Sequence, residues 1–131
     1  MPPAVAASVG DGPAIAPTQG SYTTVTCSTT GSYDADPPSP ELPLLAKQGD
    51  DLRFTVPTGW RFVRWGGSGA PLVGDGADTW PPTDLPDRPR SISVPVPLRL
   101  GDSIVGLSVV LISDDERAVV ELGLQVLVRV N

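Results

Sequence analysis

The chain has 131 residues, with 9 Lys+Arg against 15 Asp+Glu, no histidine and one cysteine, for a formal net charge of −6. That length fits a single domain, and 40% apolar with 18% charged residues can build a core, so wholesale disorder is not expected. The inventory removes a Ser-His-Asp triad, a Cys-His pair, a His-ligated zinc and a Cys₄ site, and the acidic balance argues against nucleic acid, because phosphate neutralisation needs clustered Lys and Arg.

Glycine and proline number 14 and 16, and they follow no G-X-Y period, so collagen is excluded. Alongside alternating apolar runs, so many backbone breakers mean short elements joined by turns, which suits a sandwich or barrel. A helical bundle would carry each of them at about 1 (Gly) to about 3 (Pro) kcal/mol in a helix interior. No segment reaches the roughly 18 consecutive apolar residues of a membrane helix. Met1-Pro2-Pro3-Ala4 has neither the basic nor the apolar region of a signal peptide. Residues 1–4 are expected to be disordered or an expression-derived start. Two readings follow: a cytoplasmic chain, or a mature domain whose export signal has been removed.

Val5, Ala7 and Val9 alternate, Gly10-Asp11-Gly12 supplies a turn, and Ala14 to Ala16 is a candidate returning strand. Ser21 to Cys27 is β-branched almost throughout and reads as a strand. Pro37, Pro38, Pro40 and Pro43 crowd the stretch from Asp34 to Pro43, which is expected to be an extended crossover loop. Asp51 to Pro57 places Leu52, Phe54 and Val56 on one face, and Pro57-Thr58-Gly59 turns the chain. Trp60 to Trp65 follows as a strand, with Trp60 and Phe62 on one face and Val63 and Trp65 on the other. Gly66-Gly67-Ser68-Gly69 is expected to end it, and Ala70 to Val73 to form a short edge strand. Gly74 to Arg90 reads as the longest loop, either pinned to the sandwich end by Trp80 or functional.

The last third alternates most clearly. Ile92, Val94 and Val96 share one face, as do Val105, Leu107, Val109 and Leu111. Ala118, Val120, Leu122, Leu124, Val126, Val128 and Val130 take every second position. Ser113-Asp114-Asp115-Glu116 matches a capping box, so a helix from Asp114 to Arg129 competes with a strand. The period of two, the valine content and Gly123 decide for a long antiparallel hairpin.

Carboxylates fall in turns: Asp34/Asp36, Asp50/Asp51, Asp75/Asp78, Asp84/Asp87 and Asp114/Asp115/Glu116. None matches a calcium loop, and aspartate favours turns by bonding nearby backbone N–H groups, so no metal site is assigned. A glycosidase pair needs a carboxylate separation that sequence does not give. Gly66-Gly67-Ser68-Gly69 lacks the lysine and following helix of a phosphate loop. Cys27 has no histidine to act as its base and reads as a buried thiol rather than a nucleophile. Aromatics remain: Tyr22, Tyr33, Trp60, Trp65 and Trp80. An exposed ring on a sandwich stacks on a sugar or anchors a protein partner, and Trp60, Trp65 and Trp80 are the candidate binding residues.

Gly20-Ser21-Tyr22, then Ala35-Asp36-Pro37-Pro38-Ser39-Pro40-Glu41-Leu42, then Gly49-Asp50-Asp51-Leu52-Arg53-Phe54, with a closing strand Val120-Glu121-Leu122-Gly123-Leu124-Gln125-Val126, give the chain a family likeness. It resembles small extracytoplasmic immunoglobulin-like β-sandwich domains of envelope lipoproteins and secreted proteins of Gram-positive-type bacteria. Thr23-Thr24-Val25 stands where such domains often carry a tryptophan after the tyrosine. The resemblance implies an exported, non-enzymatic domain and carries over no site residue.

The sequence therefore predicts one all-β domain over residues 1–131, an antiparallel, immunoglobulin-like sandwich of about seven to nine strands. The expected function is a non-catalytic accessory or binding domain at the bacterial cell envelope. It needs no cofactor or metal, and its partner is a protein or a glycan. A virion structural protein (capsid decoration or tail component) and a carbohydrate-binding module are the alternatives.

Overall fold

Alternating apolar residues dictate strands, and strands account for every regular element in the computed structural model, which describes residues 5–9, 15, 17–26, 30–33, 44–71, 78–96 and 100–130. The strands are β1 (Ala6–Val9), β2 (Thr18–Thr26), β3 (Thr30–Tyr33), β4 (Leu44–Ala46), β5 (Asp51–Thr55), β6 (Trp60–Pro71), β7 (Asp78–Asp84), β8 (Ser91–Pro95), β9 (Gly101–Ser113) and β10 (Ala118–Val130). They form two sheets. The small one has the order β1-β5-β8; the large one runs β3-β2-β10-β9-β6-β7, with β4 pairing β10 beside this path. The chain is thus all-β and built as a sandwich. Among the described residues no helix is long and apolar enough to cross a membrane.

The core lies between the sheets, on the faces that alternation predicts. Leu52, Phe54, Ile92 and Val94 enter it from the small sheet. Val105, Leu107, Val109 and Leu111 of β9 and Val120, Leu122, Leu124, Val126, Val128 and Val130 of β10 enter it from the large one. Strands β9 and β10 pair without a break from Val119↔Ile112 to Val130↔Gly101. The Ser113 hydroxyl donates to the Asp115 carboxylate at 2.6 Å and accepts the Ala118 N–H at 3.0 Å. Local side-chain bonding of this kind holds a turn in place of the helix start that the capping box offers. Leu127 departs from the pattern: it is buried, yet it pairs with Ile104 on the face away from the core.

Several expectations change. The described residues form ten strands, and one pairing among them is parallel: Leu44, Leu45 and Ala46 lie beside Val128, Arg129 and Val130. Of the expected return of Ala14 to Ala16 only Ile15 lies among the described residues, and it forms an antiparallel bridge to Ala7 with two 2.8 Å hydrogen bonds. Gly66-Gly67-Ser68-Gly69 does not end a strand, and Ala70 starts no new one, because β6 continues through both to Pro71. Strand β6 is held there by full pairing with β9. At Gly67 the missing side chain matters: a Cβ would stand 2.1 Å from the Gly106 carbonyl oxygen.

The expected loop from Gly74 to Arg90 contains β7, despite Pro81 and Pro82. Prolines donate no ladder hydrogen bond and are confined to edges and bulges. Strand β7 is an edge, and its register against β6 slips between Trp65↔Thr83 and Gly67↔Trp80, where the two prolines fall. Gly66 lies opposite them and a Cβ there would meet Pro82 backbone nitrogen at 2.9 Å. After β7 the chain ties the sheets together: Phe62 N–H donates to Pro89 C=O and Val56 N–H to Arg90 C=O. The expected turn at Gly10-Asp11-Gly12, Cys27 and the Asp34–Pro43 crossover lie outside the described residues.

Candidate functional site

One extra residue decides where the aromatic side chains go. Phe62 pairs with Leu111, and the next pair is Arg64 with Val110, so Val63 bulges from β6. A single inserted residue reverses the in-and-out phase of all that follows. Trp65 consequently pairs with Val109, a core-facing residue, while Trp60 pairs with Ser113 on that same face of β9. The expectation that Trp60 and Trp65 point to opposite faces is therefore corrected. It assumed an unbroken period of two.

Trp80 on β7 pairs with Gly67, which pairs in turn with Leu107. That register sets its indole beside Trp65, with ring centroids 6.3 Å apart and planes tilted by 48°. Offset or tilted contact at such a distance is favourable for aromatic rings. Trp60, Trp65 and Trp80 are all half-buried and pack against the core cluster, as does Leu85. The structure thus brings Trp65 and Trp80 together. Trp60 begins β6 apart from that pair, its backbone oxygen accepting from Arg90 Nη1 at 3.2 Å.

A second feature was not visible in the sequence. Arg61 Nε and Arg90 Nη2 both reach the Asp114 carboxylate, at 3.1 and 3.0 Å. Arg88 forms an ion pair with Glu116, and both residues have left-handed backbones, with φ of 47° and 60°. These contacts fix the β9–β10 turn to the chain between β7 and β8. The Arg90 hydrogen bond is the first cause that holds the Asp114 carboxyl below its ordinary range; the Arg61 bond adds to it against desolvation. The Ser113 hydroxyl, then the Arg117 backbone, lower Asp115. Elsewhere Arg64 meets Asp84 at 2.6 Å, and Arg129 grips Asp102 through Nε at 2.8 Å and Nη2 at 3.2 Å. The partners stand 20 to 53 residues apart in sequence, so no local motif announces them.

A shallow polar cavity of about 330 Å³ opens on the small sheet, lined by Gly49, Asp50, Asp51, Arg53 and Ser93. Asp50 is already engaged there, accepting the Lys47 N–H at 2.9 Å. Among the described residues no group of three His, Cys, Asp or Glu is set to hold a metal ion. The Asp114–Glu116 carboxylates are taken by arginines and turn hydrogen bonds.

No family model matches the chain, and comparison with curated proteins and with solved structures finds no match. Function must be read from the side chains. The most distinctive grouping is the Trp65–Trp80 pair, held at the margin of the core under a proline-bearing edge strand.

Proposed function

We propose that this is a non-catalytic binding domain of the bacterial cell envelope, exported from the cytoplasm, which engages a protein or glycan partner at its β6–β7 edge. The observation that carries this reading is the half-buried Trp65–Trp80 pair, set beside the outermost strand of the large sheet. Paired indoles at a sheet edge combine apolar area with little conformational freedom to lose, which suits recognition. The finer designation, an immunoglobulin-like sandwich, rests on the chain crossing repeatedly between the two sheets. The envelope location rests on the sequence resemblance.

The test is co-sedimentation of the purified protein with insoluble cell-wall preparations that retain their proteins and glycans. The expected result is saturable retention of the wild type and at least about tenfold weaker retention of Trp80→Ala, whose thermal midpoint is lowered but whose unfolding stays cooperative. Absence of saturable retention, or equal retention of the variant, overturns the reading.

A further inference from the structure

The face of the large sheet that points away from the core carries an apolar cluster near the β9–β10 turn, Val110 and Ile112 of β9 with Val119 of β10. Of the three exposed large hydrophobic residues among those described, Val119 (36% exposed) and Leu45 (63%) lie on it. Register places Leu45 beside Arg129 on this face, and Val119 beside Ile112. Val110 and Ile112, both half-buried, lie on this face at the turn end of β9. Charge is arranged around Val110 with opposite signs on the two sides. Arg64 of β6 and Glu121 of β10 flank Val110 in one row across three strands, and both are exposed.

We infer that this face is the contact between two copies of the chain, packed sheet to sheet about a two-fold axis that runs along β9. A closed dimer uses the same patch on both partners, so the patch must complement itself. This axis makes it do so. It leaves Val110 and Ile112 over their own symmetry mates and exchanges the strands on either side, so that β6 lies over the partner's β10. Arg64 then meets the second copy's Glu121, and Glu121 meets the second copy's Arg64. In the next row Arg61, through its aliphatic stem, covers the second copy's Val119. The outcome is an apolar centre inside a charged rim, the usual anatomy of a protein interface. Sheets pack face to face in this aligned way about 10 Å apart. At about 4.8 Å per strand and 3.4 Å per residue, the face of β10, β9, β6 and β7 offers on the order of 500 Å² per copy, about 1,000 Å² for the pair and at the lower bound for a specific complex.

Sedimentation velocity over a wide concentration range, with the full chain, tests this by charge reversal. The wild type is expected to show a monomer–dimer equilibrium. Arg64→Glu and Glu121→Arg are each expected to weaken it by at least about tenfold, since every reversal creates two like-charge contacts in a two-fold dimer. The double variant, Arg64→Glu with Glu121→Arg, is expected to restore it. Asp84→Asn, which removes the other partner of Arg64, is expected to leave dimerisation in place and so separates this role from the Arg64–Asp84 pair. Circular dichroism confirms that each variant is folded, and Val119→Asp serves as a second disrupting variant where a reversal misfolds. A wild type that stays monomeric at millimolar concentration overturns the inference. So does an oligomer indifferent to both single reversals, or one that the double variant fails to restore.

Discussion

Trp60 and Trp65 stand on the same face of β6, although they lie an odd five positions apart in a nominally alternating strand. The bulge at Val63 supplies the odd step that makes this possible, and the Val63 carbonyl is held by the Leu85 N–H at 2.7 Å. Deleting Val63 should leave Phe62, Arg64 and Trp65 consecutive opposite Leu111, Val110 and Val109, so the ladder closes with every later residue on its present face. The deletion should therefore keep cooperative unfolding and cost about 0.5–1.5 kcal/mol, mainly for the lost Leu85 bond. Inserting an alanine after Val63 should instead force a choice: either Trp60 and Phe62 remain in the core and Trp65 swings outward, or the reverse. Phe62 is completely buried, and losing such a side chain from a core costs about 3–5 kcal/mol. Denaturant titration of both variants measures this, and an insertion better tolerated than the deletion would mean that the bulge does not set the phase.

Two glycines on adjacent strands should respond in opposite ways to the same substitution. A Cβ at Gly67 meets the Gly106 carbonyl oxygen at 2.1 Å and Leu107 Cδ2 at 2.8 Å. The first contact is with backbone, which has no rotamer by which to yield. Gly67→Ala should therefore destabilise by about 1–3 kcal/mol or more, in the range of overpacked cores. A Cβ at Gly106 meets only the Leu124 carbonyl oxygen, at 3.9 Å. Gly106→Ala should be neutral or stabilise by roughly 0.5–1 kcal/mol, since alanine has less freedom to lose in a strand. Urea midpoints of the two variants provide the comparison.

The same residues show how far the sequence could be read. The faces of β5, β8, β9 and β10 were legible because each strand alternates without interruption from turn to turn. Strand β6 was legible only to Phe62, since a bulge leaves no mark in composition and shifts every later assignment by one. The Gly66–Gly69 run looks like a breaker taken alone. It is a strand because its neighbour β9 supplies hydrogen bonds and a close approach that only small residues permit, and both are properties of the partner. Strand β7 was hidden for the same reason, since Pro81 and Pro82 argue against a strand everywhere but at an edge. Trp65 and Trp80 were individually named as candidates, while their contact depends on two register shifts. The arginine clamp on Asp114 had no sequence signal at all, being assembled by the fold from three distant segments.

Acid should loosen the β9–β10 turn. Asp114, Asp115 and Asp102 each have a folded pKa below the ordinary value of 3.8, held down first by Arg90, Ser113 and Arg129 respectively. A depressed carboxylate binds fewer protons when folded than when unfolded. Its stabilisation is thus complete above the ordinary value and is lost as the pH falls below 3.8 through the folded value. Asp114→Asn should have a lower thermal midpoint than the wild type at pH 7. The gap should close as the pH falls below 3.8, and shrink in high salt because the groups are exposed. A gap that persists unchanged at pH 2 would show that the clamp acts through shape rather than charge.

The Trp65–Trp80 contact should be visible in solution without any ligand. Indoles 6.3 Å apart couple their excited states, and the coupling gives a paired positive and negative band in the circular dichroism of an otherwise β-type spectrum. Trp65→Phe and Trp80→Phe should each abolish that pair of bands, while Trp60→Phe should keep it, because Trp60 begins the strand away from the pair. Quenching by acrylamide supplies the second reading. All three rings are half-buried against the core, so quenching should be partial at each: slower than for free tryptophan, faster than for a sealed interior. Among single-tryptophan variants, the one retaining Trp80 reports the edge directly. Its quenching should fall when a partner binds, since a ring at the interface loses its contact with water. A Trp80 as accessible with partner bound as without it, and a pair of bands that survives Trp80→Phe, would together remove this edge as the recognition site. Stability gives the last discriminator. Trp80→Ala should forfeit the ring contact, worth about 0.5–1.5 kcal/mol beyond area burial, together with the partial burial of one side chain. A loss well above about 3 kcal/mol would place Trp80 among the core residues proper and mark the pair as a structural clasp.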